Sequence, residues 1–346
     1  MVKYVYDFKK LMILRIILGW YNEYFIAGLI LKIYCGISLL VQLVFFIHLL
    51  ILNKSSYNIN LLFKIFGILL GTIPSFMLSI LTGDRYLFVF CRWNDIIDSD
   101  KQAKRIFRIH QIMFDSVHFF VIIFYIIFYS WWYLCCTKFS FAAYIPGIIL
   151  RFTIEMEKIP LFLIFSILLC RVKLFQRNIC LDLKFGSVFS LDHYHHVYLK
   201  ILENLKKTSS SITILMLTQT TLFFWDSINT MYIILHFYLA EGHIRTYHVV
   251  LTCRVIHGYV SIVFPVYVME YIADILENIK IQLIERKLRC IDDNRRAEIT
   301  IMLNLLMEKP IRFRMLRAFP IDKTFPLKIT SLSITYLVFM LQYIRN

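Results

Sequence analysis

Seven stretches of about twenty predominantly apolar residues, each long enough to cross a bilayer as a helix, constrain this chain more than any other feature. They run Ile33–Leu52, Leu61–Leu81, Ile112–Leu134, Ile145–Cys170, Ile212–Ala240, Val249–Ile272 and Leu327–Ile344. In hydrocarbon every backbone polar group must be satisfied within the protein, which leaves helices and closed barrels. A barrel would show alternating segments of about ten residues, and the sequence has none. Of 346 residues 59% are hydrophobic and 18% charged. Soluble domains hold roughly 45–50% and 25%. The expected fold class is all-α: a polytopic membrane protein with seven transmembrane helices.

Charge placement orients the bundle. Of the 38 Lys and Arg residues, 29 fall in or beside four segments: the N-terminus and the connections two to three, four to five and six to seven. Five fall on the opposite side. Basic residues accumulate on the cytosolic face, so the N-terminus is expected inside and the C-terminus outside. The net charge of +15 then reads as a basic inner face and not as a nucleic-acid site. Asn53, in Asn53-Lys54-Ser55, is a glycosylation candidate on the outer side. The segment Ile272 to Ile301 reads as a helical extension of span six, and His193 to Lys207 as one leading into span five. Such extensions pack together, often between subunits. The eight cysteines form neither a disulfide framework nor a zinc pattern. Arg15, Asn22 and Glu23 interrupt the apolar run from Leu11, and no cleavage site follows, so no signal peptide is expected.

The tripeptide Asp84-Arg85-Tyr86 invites comparison with G-protein-coupled receptors, where it ends the third span. Here it follows the second, and the charge count inverts the orientation; Arg85 reads as one of six basic residues anchoring a loop to the inner face. Phosphate loops, nucleophile elbows and HExxH are missing from the sequence, so neither an enzyme nor a cofactor is expected. Of the three histidines in "DHYHH", His195 and His196 fall on different faces of a helix and no second cluster accompanies them, which argues for a solvated surface over a metal. Pro74 and Pro265 break spans two and six, but a transporter would add an internal repeat.

Charges inside spans are costly and are usually paired or functional. Asp226 and Arg254 lie on consecutive antiparallel spans, and Arg151 and Glu155 stand four apart. Each pair fits a structural bridge or a ligand contact. On the seventh span Ser331, Thr335, Phe339, Gln342 and Tyr343 share one helical face. A glutamine there belongs toward protein or water, and small Ser and Thr residues equally suit close helix packing.

Thr335-Tyr336, the five apolar residues Leu337 to Leu341, and Gln342-Tyr343 resemble the signature that closes insect gustatory receptors, with Tyr343 where the family has Phe. The run "LNLLMEKPIRFRMLRAFPIDKTFPLKITSLSITY", with Pro310, Phe319 and Asp322, is similar to the family's approach to its last span. "FQRNICLDL" after span four is similar as well. The resemblance implies a subunit of a four-subunit, ligand-gated, non-selective cation channel in the plasma membrane of sensory neurons, either homotetrameric or shared with related receptors. It implies a six-helix bundle over 1–272 with a ligand pocket in its outer half, cytosolic anchor helices over 273–326, and a pore-lining seventh helix over 327–346. The pore gate would be Phe339, Gln342 and Tyr343. Leu337 stands where sugar receptors of the family carry Glu, which points to a bitter or other non-sugar small molecule. An odorant receptor subunit of the same superfamily, or a seven-helix G-protein-coupled receptor, is the alternative. The implied pocket would draw on His48, Lys64, Tyr125, Tyr129, Trp132, Arg151, Glu155, Trp225, Asp226, Asn229, Arg254, His257 and Tyr259. For any single aromatic, lipid contact or packing explains its place as well. Expected partners are a small-molecule tastant, membrane lipids and three further subunits, with neither metal nor nucleic acid.

Overall fold

A computed structural model describes residues 4–7, 9–24, 28–52, 69, 73–98, 101–135, 149, 152–185, 191–241, 246–311, 314–315, 319–320 and 324–345. Its helices are α1 Lys9–Ile17, α2 Leu29–Leu52, α3 Ile73–Thr82, α4 Arg85–Cys91, α5 Asp95–Asp98, α6 Lys101–Cys135, α7 152–156, α8 Lys158–Phe185, α9 Leu191–Glu241, α10 Thr246–Arg289, α11 Asp293–Glu308 and α12 Thr324–Arg345. A two-residue ladder, β1 Arg314–Met315 against β2 Phe319–Pro320, precedes α12. Where described, all seven predicted apolar stretches are helical, and the all-α fold class holds.

The helices differ in what surrounds them. α8 is the axle: most of its apolar window is buried, and it packs on α10, α9, α4, α6 and α5. Ile164, Phe165, Ile167 and Leu168 are sealed in its centre. α6 is the rim, almost wholly exposed along its apolar window. Exposed Ile, Val and Phe over such a length are unfavourable in water and neutral in lipid.

The 51 residues of α9 extend about 77 Å, and the 44 of α10 about 66 Å, against a hydrocarbon core of about 30 Å. Both therefore run well past the bilayer, as the helical reading of His193–Lys207 and of the span-six extension required. The second extension ends sooner than Ile301. Cys290 to Asp292 leave the helix, and Asp292 caps α11 by accepting from the Asn294 amide at 3.0 Å. The α9 extension meets the C-terminal end of α11, where the Tyr198 hydroxyl donates to the Lys309 carbonyl at 2.6 Å. On α9 near "DHYHH", Tyr194 is buried against Phe175 and donates to Asp182, while His193 and His196 stay exposed.

α3 and α4 are joined by two left-handed residues, Gly83 and Asp84, each with φ of 56°. The Gly83 amide caps α3 through the Ser79 carbonyl at 2.8 Å. A β-carbon on Gly83 would fall 2.4 Å from Glu23 Cγ, so glycine is required for space as well as conformation. Asp84 tolerates the left-handed region better than most residues, and its carboxylate is held by Arg15. The Arg15 Nη2 lies 2.9 Å from Asp84 Oδ2, with both side chains almost fully buried. Tyr86, whose hydroxyl burial raises well above its usual range, reaches the other Asp84 oxygen at 3.4 Å. Arg85 points out to Glu23 at 2.5 Å. The reading of this tripeptide as a loop anchor thus fits Arg85 alone; Asp84 is a buried counterion in the core.

The fourth span also departs from expectation at its C-terminal end. It does not stop at Cys170, because the next residue, Arg171, is buried. Arg171 pairs with Asp98 at 2.9 Å and donates to the Phe90 and Arg92 carbonyls at 2.8 and 2.9 Å. With the charge satisfied internally, the helix continues to Phe185.

Candidate ligand pocket and seventh-helix face

The break between α7 and α8 organises the polar interior. Pro160 carries no amide hydrogen, so the Met156 carbonyl four residues earlier loses its helical donor. The Glu157 amide turns to the Ile154 carbonyl at 3.3 Å, which frees the Thr153 carbonyl too. The N-terminal segment takes both oxygens: Arg15 Nη1 donates to Met156 O at 2.7 Å, and Trp20 Nε1 to Thr153 O at 3.0 Å. The Arg15 guanidinium also lies over the Trp20 ring, 5.4 Å from its centroid.

The charges of this span point inward. Lys158 Nζ lies 2.6 Å from Glu155 Oε2, and His257 Nδ1 on α10 lies 3.4 Å from the same oxygen. Burial penalises each charge and the pairing offsets it. Glu157 accepts from the Thr218 hydroxyl at 3.1 Å, and Ser75 on α3 donates to Thr218 at 2.8 Å. Four spans are thereby joined by polar contacts within an otherwise apolar core.

Beside these groups a pocket opens between α7, α8, α9 and α10. It is lined by Ile154, Glu155, Lys158, Gln219, Leu222, Phe223, Asp226, Val255 and Gly258. Apolar walls with a few convergent polar groups suit a small molecule. The space is narrow, with room for about one water molecule. Gly258 sets one wall: a β-carbon there would stand 3.1 Å from Phe223 Cδ2.

Of the residues singled out from sequence, Glu155 and Asp226 line this pocket and His257 reaches it through Glu155. Tyr259 stacks on Phe223 with ring centroids 5.9 Å apart, directly behind the wall. Trp225 and Asn229 are one turn apart on α9, the Asn229 amide donating to the Trp225 carbonyl at 3.1 Å, and neither lines the pocket. Asn53, Lys64 and Arg151 lie outside the described residues. So do the side chains of His48, Tyr125, Tyr129, Trp132, Arg254 and Tyr343, whose backbones are helical. Glu155, offered with Arg151 from their spacing, has Lys158 and His257 as partners. Lys158 and Gln219 were not singled out as pocket residues. Lys158 carried a signal, as a cation in an apolar span; Gln219 gave none beyond a lone amide.

α12 packs by one face only. Phe325, Ile329 and Ser333, four residues apart, are buried, with Ser333 Oγ 3.2 Å from Ser227 Oγ on α9. Tyr336 meets Phe224 edge-on at 5.6 Å. On the other face Lys328, Ser331, Thr335, Phe339 and Gln342 are exposed, Phe339 to 65%. Leu332, Ile334 and Val338 are exposed as well, so the protomer covers only a narrow strip of its last helix.

No family model and no curated protein matches the sequence. The fold matches solved structures along its whole length. The insect olfactory receptor OR5 from Machilis hrabei superimposes with a TM-score of 0.68 at 14% identity, over 97% of each chain. The same receptor in complex with eugenol gives a TM-score of 0.70 at the same identity and coverage. The chain therefore has the fold of that receptor.

Proposed function

We propose that this chain, folded like an insect olfactory receptor, is a chemoreceptor subunit whose tetramer forms a ligand-gated cation channel. The observation that carries the reading is α12: a membrane-length helix held by a single strip, with Ser331, Thr335, Phe339 and Gln342 on its free side. A row of hydroxyls, an amide and a large ring facing lipid would be unfavourable. Facing three copies of itself, the same row lines a polar path, with Phe339 rings closing it by dewetting and Gln342 offering its amide to a passing cation. Tyr343 completes the gate in this reading, and Thr335 and Tyr336 hold the helix in register.

The ligand acts from the pocket at Glu155, Lys158, Gln219 and Asp226. The receptor of the same fold takes eugenol, and a non-sugar small molecule with a polar group on an apolar body suits these walls. Activation follows if the ligand binds the arrangement with α12 splayed more tightly than the resting one; equal affinity would shift nothing. Residues 1–272 serve as the ligand-binding bundle, 273–326 as the cytosolic anchor and 327–346 as the pore helix. The gustatory reading rests on Thr335-Tyr336 and Gln342-Tyr343, and the localisation is the plasma membrane of a sensory cell.

The test is electrical. Ligand-evoked current in excised patches without GTP is expected, and silence under GTP-free conditions with recovery on adding GTP would instead assign a G-protein-coupled receptor. In the same patches Phe339→Ala is expected to raise basal current. Basal current and ligand response both equal to wild type would remove Phe339 from the gate.

A further inference from the structure

Several charges on the basic end of the molecule are spent internally. Arg15 is matched by Asp84, Arg85 by Glu23, Arg171 by Asp98, and Lys200 and Lys207 by Glu203. The first turns of α6 are different. Lys104, Arg105 and Arg108 are exposed, stand within one turn of each other and make no hydrogen bond or ion pair among the described residues. Ala103 and Phe107 occupy the opposite side of the helix and are sealed against the bundle, Phe107 meeting the Tyr6 ring at 6.3 Å. The acids nearest in sequence do not neutralise the row. Asp98 is taken by Arg171, and Asp115 lies seven residues beyond Arg108, about 10 Å further along the helix.

The row also has a defined depth. α6 has 35 residues and spans about 52 Å. That exceeds the hydrocarbon core by roughly 20 Å, so its first turns lie in the headgroup layer. Beyond Arg108 the exposed surface is mostly apolar, with Ile109, Ile112, Met113, Val117, Phe119 and Phe120, and Asp115 and Ser116 are the exposed polar residues among them. Three unmatched cations at headgroup depth, followed by a largely apolar surface toward acyl-chain depth, complement one kind of molecule end to end. We propose that this face of α6 binds an anionic phospholipid of the inner leaflet, its headgroup on Lys104, Arg105 and Arg108 and its chains along Ile112 and Phe119. The guanidinium forks of Arg105 and Arg108 suit a phosphate diester, and the compact ammonium of Lys104 suits a further headgroup carboxylate.

The full chain, purified in a neutral detergent and equilibrated with equal phosphatidylserine and phosphatidylcholine, tests this by native mass spectrometry of the retained lipid. Wild type is expected to retain phosphatidylserine about tenfold over phosphatidylcholine, less at high salt, since clustered Lys and Arg favour anionic lipid. Lys104→Gln with Arg105→Gln and Arg108→Gln is expected to bring the ratio near parity. The charge-keeping set Lys104→Arg, Arg105→Lys and Arg108→Lys is expected to hold it above parity, which separates lost charge from lost fold. Lys200→Gln with Lys206→Gln and Lys207→Gln removes the same charge from the α9 extension and should leave the ratio at the wild-type value. Three results would each overturn the assignment: no preference in wild type, an undiminished preference in the α6 Gln variant, or an equal loss in the α9 variant. Displacement of the lipid by inorganic phosphate at matched concentration would likewise overturn it, in favour of a free-anion site.

Discussion

Arg15 is 2% exposed yet carries a charge, and every hydrogen bond its side chain makes crosses a long stretch of chain. It neutralises Asp84 and caps Met156 O at the break in the fourth span. Removing one partner of a buried pair strands the other and costs about 3–5 kcal/mol. Arg15→Met should therefore lower the melting temperature of the purified protein sharply. Adding Asp84→Asn should recover part of the loss, because the stranded charge is then gone. A single variant that melts like wild type would show that the pair does not hold the N-terminal segment. The sequence held one trace of this node, Arg15 interrupting the apolar run from Leu11. Its partners lie 69 and 141 positions away, and no periodicity within a helix reports such distances. For the same reason Arg85, exposed and basic, was readable as an inner-face residue, while the burial of Asp84 beside it was not.

Among elements, the helices were the legible part. Apolar length fixes where a chain spans a bilayer, and helical spacing revealed the extensions of α9 and α10. Their ends were less so: the stop at Cys290 depends on the Asp292 cap, and the run of α8 past Cys170 on a counterion in α5. The pocket was half legible, because Glu155, Asp226 and His257 are polar residues in apolar spans, whereas its shape depends on Gly258 and Phe223. Gly258→Ala adds a β-carbon 3.1 Å from the Phe223 ring and improves helix propensity by about 1 kcal/mol. Stability should change little while the ring shifts, so the ligand dose–response is expected to move several-fold with an unaltered melting temperature. A melting loss with an unmoved dose–response would separate this wall from the ligand. Glu203 on the α9 extension is held down to about 2, from an ordinary 4.5, by the Lys200 and Lys207 side chains. A depressed carboxyl stabilises the fold above its unfolded value and loses that effect on acidification. Hydrogen-exchange protection around Glu203, corrected for the intrinsic exchange rate at each pH, should fall as pH drops from 4.5 toward 2, and should not in Glu203→Gln.

At the scale of the whole molecule, the part beyond the bilayer exposes a stripe that water does not favour. Ile281, Ile284 and Leu288 follow one another on α10 at spacings of three and four, and each is exposed, as is Ile291 just past the helix end. That is the seam of a helix awaiting another helix, and it supports a shared anchor between subunits. Ile284→Asp with Leu288→Asp alters residues the protomer does not bury, so the chain should fold and its assembly fail. Light scattering of the detergent-solubilised protein should then report a single chain in place of the oligomer proposed for the wild type. An unchanged mass would move the subunit contact elsewhere.

The clamp of Arg15 on Met156 also sets a schedule for synthesis. Met156 leaves the ribosome 141 residues after Arg15, which at about 5–20 residues per second is roughly 7–28 s later. Through that interval three spans enter the bilayer while α1 has no final place to rest. The first helix made thus settles only once the fourth span has followed it.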